Sequence, residues 1–256
     1  MSNLESASML DKGLEIINLF AQVKRPLRIS EISELLSVPR TTVYRLVSSL
    51  EQRGFVKRTD AQTTYFLSLK FLELGEIVRE SLELRALALP FMEKLRDEVN
   101  LAVHLVVRDG NEAVYVEKVE STRPVRLFTR VGRRAPLHVT ACPRVLLASL
   151  PDAEIEEYME CTEMVKYTST TVADADTLRK SIKETRENGY SIAWGELEPL
   201  TTAIAVPIRD HRREVVASLS LAGPDWYFRS EDISRFVSKL KVYAAQISQE
   251  LGYEAG

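Results

Sequence analysis

Arg40, Thr41, Tyr44, Arg45 and Ser48 fall on one side of a helical repeat, with Thr42 beside them, while Val43, Leu46, Val47 and Leu50 fall on the other. A helix that turns guanidinium and hydroxyl groups outward and aliphatics inward can touch phosphates and base edges. Lys57 and Arg58 follow at once, and Arg28 and Ser30 stand just ahead. Between Lys24 and Arg58, eight Lys/Arg stand against three Asp/Glu, a local net charge of +5 in a chain of net charge −3. A basic excess confined to one stretch of an acidic chain is the electrostatic footprint of a polyanion site. The competing reading, a packing module with a solvated basic face, explains the stripe but not the charge. In the other half, Ser218 and Ser220 sit two apart in an apolar run, so both hydroxyls share one face of a strand. Taken alone, such a pair reads more readily as a solvent-facing polar side.

The elements that must position these groups come next. Ser30 is placed to cap a helix whose apolar face is Ile29, Ile32, Leu35 and Leu36. Val38-Pro39 breaks it, and Pro39 suits the start of the next helix. Gly54 to Arg58 and Tyr65 to Leu67 form a hairpin around Thr59–Thr64, and residues 6–22 supply an earlier helix. Two helices, a tight turn and a basic hairpin make a winged helix-turn-helix over 1–69, able to read double-stranded DNA. Helical spacing then predicts a linker helix over 70–83 and another helix from Leu84 to Val99. From Leu101 the period becomes two. Asp109-Gly110 joins a hairpin, Val125 to Phe128 is expected as a third strand, and Tyr190–Trp194, Thr202–Arg209 and Glu214–Leu221 as three more. Helices are expected from Thr140 as N-cap, from Pro151-Asp152, from Asp174 or Asp176, and over Ser230–Leu251. Strands joined by hairpins and followed by helices indicate an α+β class for 84–256, an antiparallel sheet flanked by helices.

Composition narrows the function. The chain has 256 residues, 45% hydrophobic and 28% charged, ordinary for a soluble globular protein. No apolar run is long enough to span a membrane, and MSNLESASML lacks the form of a secretory signal, so a cytoplasmic location is expected. Cys142 and Cys161 form no C-x-x-C, and His104, His138 and His211 lack metal-ligand spacing. No Walker loop, dinucleotide fingerprint, serine elbow or H-E-x-x-H is present, so neither a cofactor nor a catalytic residue is assigned. Cys142 at a helix start would in principle have a lowered pKa; the plainer reading is a small pocket-lining residue. Glu196 and Glu198 read as surface or pocket-rim residues.

Leu35-Leu36-Ser37-Val38-Pro39-Arg40-Thr41-Thr42-Val43-Tyr44-Arg45-Leu46-Val47, with Gly54-Phe55-Val56, resembles the DNA-binding half of the isocitrate lyase regulator (IclR) family. Pro136-Leu137-His138, Thr140-Ala141, Gly189-Tyr190, Glu198-Pro199, Ile204-Ala205 and Gly223-Pro224 resemble its effector domain. The resemblance implies a bacterial transcriptional regulator, more often a repressor, that controls catabolic genes. It implies a palindromic operator, a homodimer or tetramer to bind it, and a GAF-like effector domain. It also implies a small organic or aromatic acid held between the sheet and the helix at Thr140. A helix N-terminus favours such a carboxylate. On that basis Thr140, Ala141, Cys142, Arg144, Trp194, Glu198, Ala203, Ser218 and Ser220 are expected around the effector. Two departures bear on it. Pro143 replaces the family's glycine and removes a backbone donor, while Arg144 replaces its lysine with a planar fork. Leu200, Thr201, Thr202 and Ala203 stand where the family often has Gly, a branched residue, Arg and Cys. The alternatives are a small-acid enzyme tethered to a DNA module, and a constitutive DNA-bound scaffold.

Overall fold

The structure, a computed structural model, describes residues 8–59, 63–80, 83–124 and 127–254. It divides into two compact units, Met1–Ser81 and Leu82–Gly256.

The first unit contains α1 (Met9–Val23), α2 (Ile29–Leu36), α3 (Arg40–Gln52) and α4 (Lys70–Glu80). Its sheet of β1 (Leu27–Arg28), β2 (Val56–Thr59) and β3 (Thr64–Leu67) is antiparallel in the order β1-β3-β2. Ile16, Phe20, Leu27, Ile32, Val38, Val43, Leu46, Val47, Val56 and Tyr65 form one core, so the sheet closes over the three helices. The expected cap at Ser30 is not made. Arg28 is the N-cap residue of α2, and its backbone N–H donates to Glu31 Oε2 at 2.8 Å, which leaves Ser30 inside the first turn. Leu35 is also exposed rather than on the apolar face, because Ile32, flanked by half-buried Ile29 and Leu36, fills the α2 contact with the core. Lys70 ties α4 to the unit by donating to the Arg53 carbonyl at 2.9 Å.

The second unit contains α5 (Glu83–Val99), β4 (Ala102–Asp109), β5 (Glu112–Val119), β6 (Arg134–Pro136), α6 (Ala141–Ala148), α7 (Asp152–Cys161) and α8 (Ala175–Asn188). It continues through β7 (Ser191–Trp194), β8 (Thr201–Arg209), β9 (Val215–Pro224) and α9 (Ser230–Glu250). The six strands are antiparallel in the order β6-β5-β4-β9-β8-β7. The strand expected at Val125–Phe128 is absent at Leu127 and Phe128, and Val125 and Arg126 lie outside the described residues. Instead Arg134–Pro136 pairs with Glu112–Val114 at the sheet edge, where a proline costs no ladder bond.

The two faces of this sheet differ in side-chain size, and the register shows how. On one face Val103, Leu105, Leu219, Leu221, Ile204 and Val206 pack against α5 and α9. On the other, Ala102, Ala222, Ala203 and Ala193 are successive cross-strand partners, and the next row is Lys118, His104, Ser220, Ala205 and Ser191. Large residues thus fill the α5/α9 face, while the opposite face leaves room beneath α6.

Leu219 is fully buried at the centre of the large-residue face. Leu219→Ala is expected to destabilise the second unit by about 2–5 kcal/mol in denaturant unfolding, with the first unit's transition unchanged.

Candidate functional site

On α3 the buried stripe is Val43, Leu46 and Val47, with Leu50 half-buried. Arg40, Thr41, Tyr44 and Arg45 are exposed and Thr42 and Ser48 half-buried, so the expected outward face exists as one surface. Pro39 immediately precedes α3 with extended backbone, and the Thr42 and Val43 N–H groups donate to its carbonyl. Arg45 makes no ion pair among the described residues, whereas Arg40 stands 3.8 Å from Glu34, both largely in solvent. At that exposure the pair contributes little and leaves Arg40 available. On β2, Lys57 and Arg58 are exposed, and Arg58 Nη2 donates to the Tyr65 hydroxyl at 2.9 Å with its guanidinium over the Tyr65 ring. Arg28 is exposed and Ser30 half-buried at the start of α2.

In the second unit a cavity of about 40 Å³ lies beside the start of α6. Its wall includes Thr140, Cys142, Glu198, Ala203 and Ser220 of the expected set, Glu196 and Thr202, which the sequence raised without assigning to the effector, and His104, Tyr115 and Thr129, which the sequence did not indicate. The signal for His104 was a lone polar residue in the run LAVHLVV. Four expected residues stand off the wall. Ala141 is buried in the first turn of α6. Ser218 is spent on the Val206 carbonyl at 3.2 Å. Trp194 is 46% exposed, so it is no aromatic wall. Arg144 is 1% exposed, and its fork is committed elsewhere.

That commitment is the main correction. The Arg144 Nη2 pairs with the Glu196 carboxylate, and Nη1 donates to the Ile192 carbonyl at 3.3 Å. The Thr140 N–H donates to the same Glu196 carboxylate at 3.1 Å. The Glu196 carbonyl accepts from the Thr171 hydroxyl at 2.6 Å. Glu196 is therefore a buried counter-ion, not a rim residue, because its partner lies 52 positions away in sequence. Glu198 is at the rim as expected, paired with Arg133 at 2.7 Å. Thr140 itself has φ +63° and ψ 176°, a region that residues with a Cβ rarely adopt. The first-turn N–H groups of α6 have no acceptor further up the helix, and Pro143 supplies none.

Burial controls the titratable groups here. It pushes the Cys142 thiol up to about 11, against the neighbouring Ser218 and Ser220 hydroxyls, which act in the opposite direction. The lowered pKa that a helix start implied is overturned, and Cys142 is a protonated wall residue. Burial, reinforced by Lys118 and Arg133, pushes the His104 imidazole down to about 3. The Ser220 hydroxyl lies 3.5 Å from His104 Nδ1, the nearest approach to a nucleophile–base pair in the cavity. An imidazole so hard to protonate is a poor general base at neutral pH.

A winged helix-turn-helix carrying an outward basic helix, with a second unit that holds a hydroxyl-lined cavity, defines a ligand-binding transcriptional regulator. Residues 9–60 match the IclR helix-turn-helix domain and residues 77–249 the bacterial transcriptional regulator IclR C-terminal domain. The chain belongs to the IclR family of transcriptional regulators. It is 45% identical to the HTH-type transcriptional regulator KipR of Bacillus subtilis, over 94% of this chain and 96% of that one. It is 30% identical to the HTH-type transcriptional repressor AllR of Escherichia coli, over 98% and 93% of the two chains. Among solved structures, an IclR homologue from Microbacterium hydrocarbonoxydans complexed with 4-hydroxybenzoate superposes with a TM-score of 0.81 at 28% identity, covering 95% of this chain and 99% of that one. No helix among the described residues is long and apolar enough to cross a membrane.

Two outcomes follow for the second unit. Glu196→Ala is expected to cost about 3–5 kcal/mol in denaturant unfolding by leaving Arg144 buried and unpaired, and an Arg144→Met/Glu196→Leu double variant to recover most of it. His104 stays neutral when folded but takes a proton near its ordinary value of about 6.5 when unfolded. The unfolded chain therefore binds more protons in the window between that value and about 3, and stability falls as pH drops through it. Unfolding midpoints at pH 7 and pH 5 should show that fall, reduced in His104→Gln.

Proposed function

We propose that this regulator is a one-component repressor of catabolic genes that binds a palindromic operator as a homodimer or tetramer and responds to a small carboxylic acid. The observation that carries the reading is the pairing of two features in one chain: an exposed cationic face on α3, anchored by a buried aliphatic stripe, and a hydroxyl-lined cavity at the start of α6. Arg40, Thr41, Thr42, Tyr44, Arg45 and Ser48 are assigned to base edges and nearby backbone. Lys57 and Arg58 on the wing, with Arg28 and Ser30 at the start of α2, are assigned to phosphates. In the cavity Thr140, Cys142, Glu198, Ala203 and Ser220 are assigned to the effector, while Ala141 and Arg144 act behind it. The repressor sign is supported by the likeness to AllR, and the acid class by the homologue bound to 4-hydroxybenzoate. Catalysis is no part of the reading, since the relatives are regulators.

Both arginines nearest the cavity are already neutralised, Arg144 by Glu196 and Arg133 by Glu198. An incoming carboxylate gains a guanidinium most readily by displacing Glu198, whose pair is partly solvent-exposed, rather than Glu196, whose pair is sealed. About 40 Å³ holds only a few water-sized groups, so an effector larger than a few heavy atoms enters with movement of the segment carrying Glu198. The effector alters operator affinity to the extent that it prefers one arrangement of the protein over another.

The test is fluorescence anisotropy of full-length protein on its operator at fixed salt. Arg45→Ala is expected to weaken specific binding by about 1–3 kcal/mol, roughly five- to 150-fold, and to relax sequence preference. Lys57→Ala should weaken binding to all sequences alike and lower the salt slope by about one. Arg45→Ala binding as tightly as wild type would remove the α3 assignment.

A further inference from the structure

The cavity is lined by one buried polar group that none of the described residues satisfies. His104 is 2% exposed, its Nδ1 faces the Ser220 hydroxyl at 3.5 Å, and its Nε2 is sealed from solvent without a hydrogen-bond partner among the described residues. The ring is held in place. Its edge meets Tyr115, with ring centroids 5.5 Å apart and planes at 88°. Across the sheet its neighbours in register are Lys118 on β5 and Ser220 on β9. An unmet buried donor or acceptor costs about 1–3 kcal/mol, which a ligand oxygen reaching Nε2 through the cavity that His104 lines would recover.

We propose that His104 is a specificity-determining residue for the effector: Ser220 donates its O–H to Nδ1, which leaves Nε2–H as the donor for a carboxylate or carbonyl oxygen of the bound acid. This rests on the effector reading above and names the group within that site that selects the ligand's chemistry. The neighbouring protons support the choice of tautomer. Ser218 already donates to the Val206 carbonyl, and the Cys142 thiol beside Ser220 retains its proton, so Ser220 has Nδ1 as its natural acceptor. The charged and titratable groups around the imidazole are Lys118 and Tyr115 on β5, Cys142 on α6, and Arg133, Glu196 and Glu198. Lys118 is itself committed, to the Leu127 and Thr129 carbonyls at 3.0 and 2.7 Å and to Glu120 at 2.8 Å. Glu196 and Glu198 face Arg144 and Arg133. No carboxylate is left to hold a second proton on the ring. The ligand's oxygen therefore meets a neutral donor, and affinity at this contact does not vary with pH in the physiological range. A ligand presenting only an ammonium or an amide N–H to this position is rejected, since two donors would then face each other.

The experiment has two arms. In the first, nitrogen-resolved imidazole spectra of the unliganded full-length protein are followed from about pH 5 to pH 8, with His104 identified by its loss in His104→Gln. A neutral ring protonated on Nε2 throughout is expected, with a tautomer mixture in Ser220→Ala. Protonation on Nδ1, or a midpoint near the ordinary imidazole value, overturns the proposal. In the second, acetate, pyruvate, L-lactate and 4-hydroxybenzoate are titrated calorimetrically into wild type, His104→Phe and His104→Gln. His104→Phe, which keeps a ring against Tyr115 but has no donor, is expected to weaken any binding acid by about tenfold or more. His104→Gln, whose amide can reach the Nε2 position, should stay within about threefold. Equal affinity in wild type and His104→Phe overturns the proposal. If none of the four binds wild type, the acid-effector reading fails, and the proposal fails with it as a statement about acids whatever tautomer the spectra show.

Discussion

The second unit depends on one buried ion pair. Arg144 enters from the second turn of α6 and Glu196 from the segment after β7, and between them they reach the Ile192 carbonyl, the Thr140 N–H and the Thr171 hydroxyl. Removing two charges from water is expensive, and their attraction offsets that cost only if the remaining donors and acceptors are also met. Here most are, which fixes how α6 approaches β7. Thr140 is held at φ +63° at the same junction. A β-branched residue stays in that conformation only when its surroundings over-determine it, and the Glu196 carboxylate on its N–H supplies one such constraint. The pair is therefore a frame for the cavity, with Glu196 on its wall and Arg144 behind it.

The sheet supplies the complementary constraint. Antiparallel register places alternate residues on opposite faces, so β9, reading Ser218-Leu219-Ser220-Leu221-Ala222, gives its leucines to the α5/α9 core and its small residues to the cavity side. Strands β4 and β8 follow the same rule with Ala102, His104, Ala203 and Ala205. Helix α6 then rests its own apolar side chains on this face through Val106, Ala113 and Ala205. Close packing elsewhere makes the small-residue rows the place where a void can survive.

The DNA-reading unit was legible because its signals are local. The aliphatic stripe of α3, the Val38-Pro39 break and the basic wing all lie within a few turns of one another, and only the Ser30 cap and Leu35 were misplaced. The cap was lost to Glu31, whose longer carboxylate reaches the Arg28 N–H from three residues on. The cavity was legible in part. Thr140 and Ser220 could be placed from a helix start and a strand face, but Arg144 could not, since a cation beside a helix N-terminus looks like an anion receptor until its partner is known. Glu196 was misread for the same reason, and His104 joins Ser220 only through a strand pairing 116 positions apart. The absence of the expected strand at Leu127 and Phe128 shows propensity giving way to edge geometry, with Arg134–Pro136 taking the place beside β5 despite its composition.

The alanines at the cavity side have a consequence for how such a regulator changes over generations. Ala203 and Ala222 face each other across β8 and β9 at the cavity wall, with Ala193 and Ala102 flanking them in the same row. Every alanine codon is one base change from glycine, serine, threonine and valine. A lineage can therefore trade volume or a hydroxyl at these positions in single steps while the large-residue face goes on holding the sheet. The same backbone can be retuned to a different metabolite without passing through an unfolded ancestor, and the DNA-reading surface, encoded in a separate unit, need not change with it.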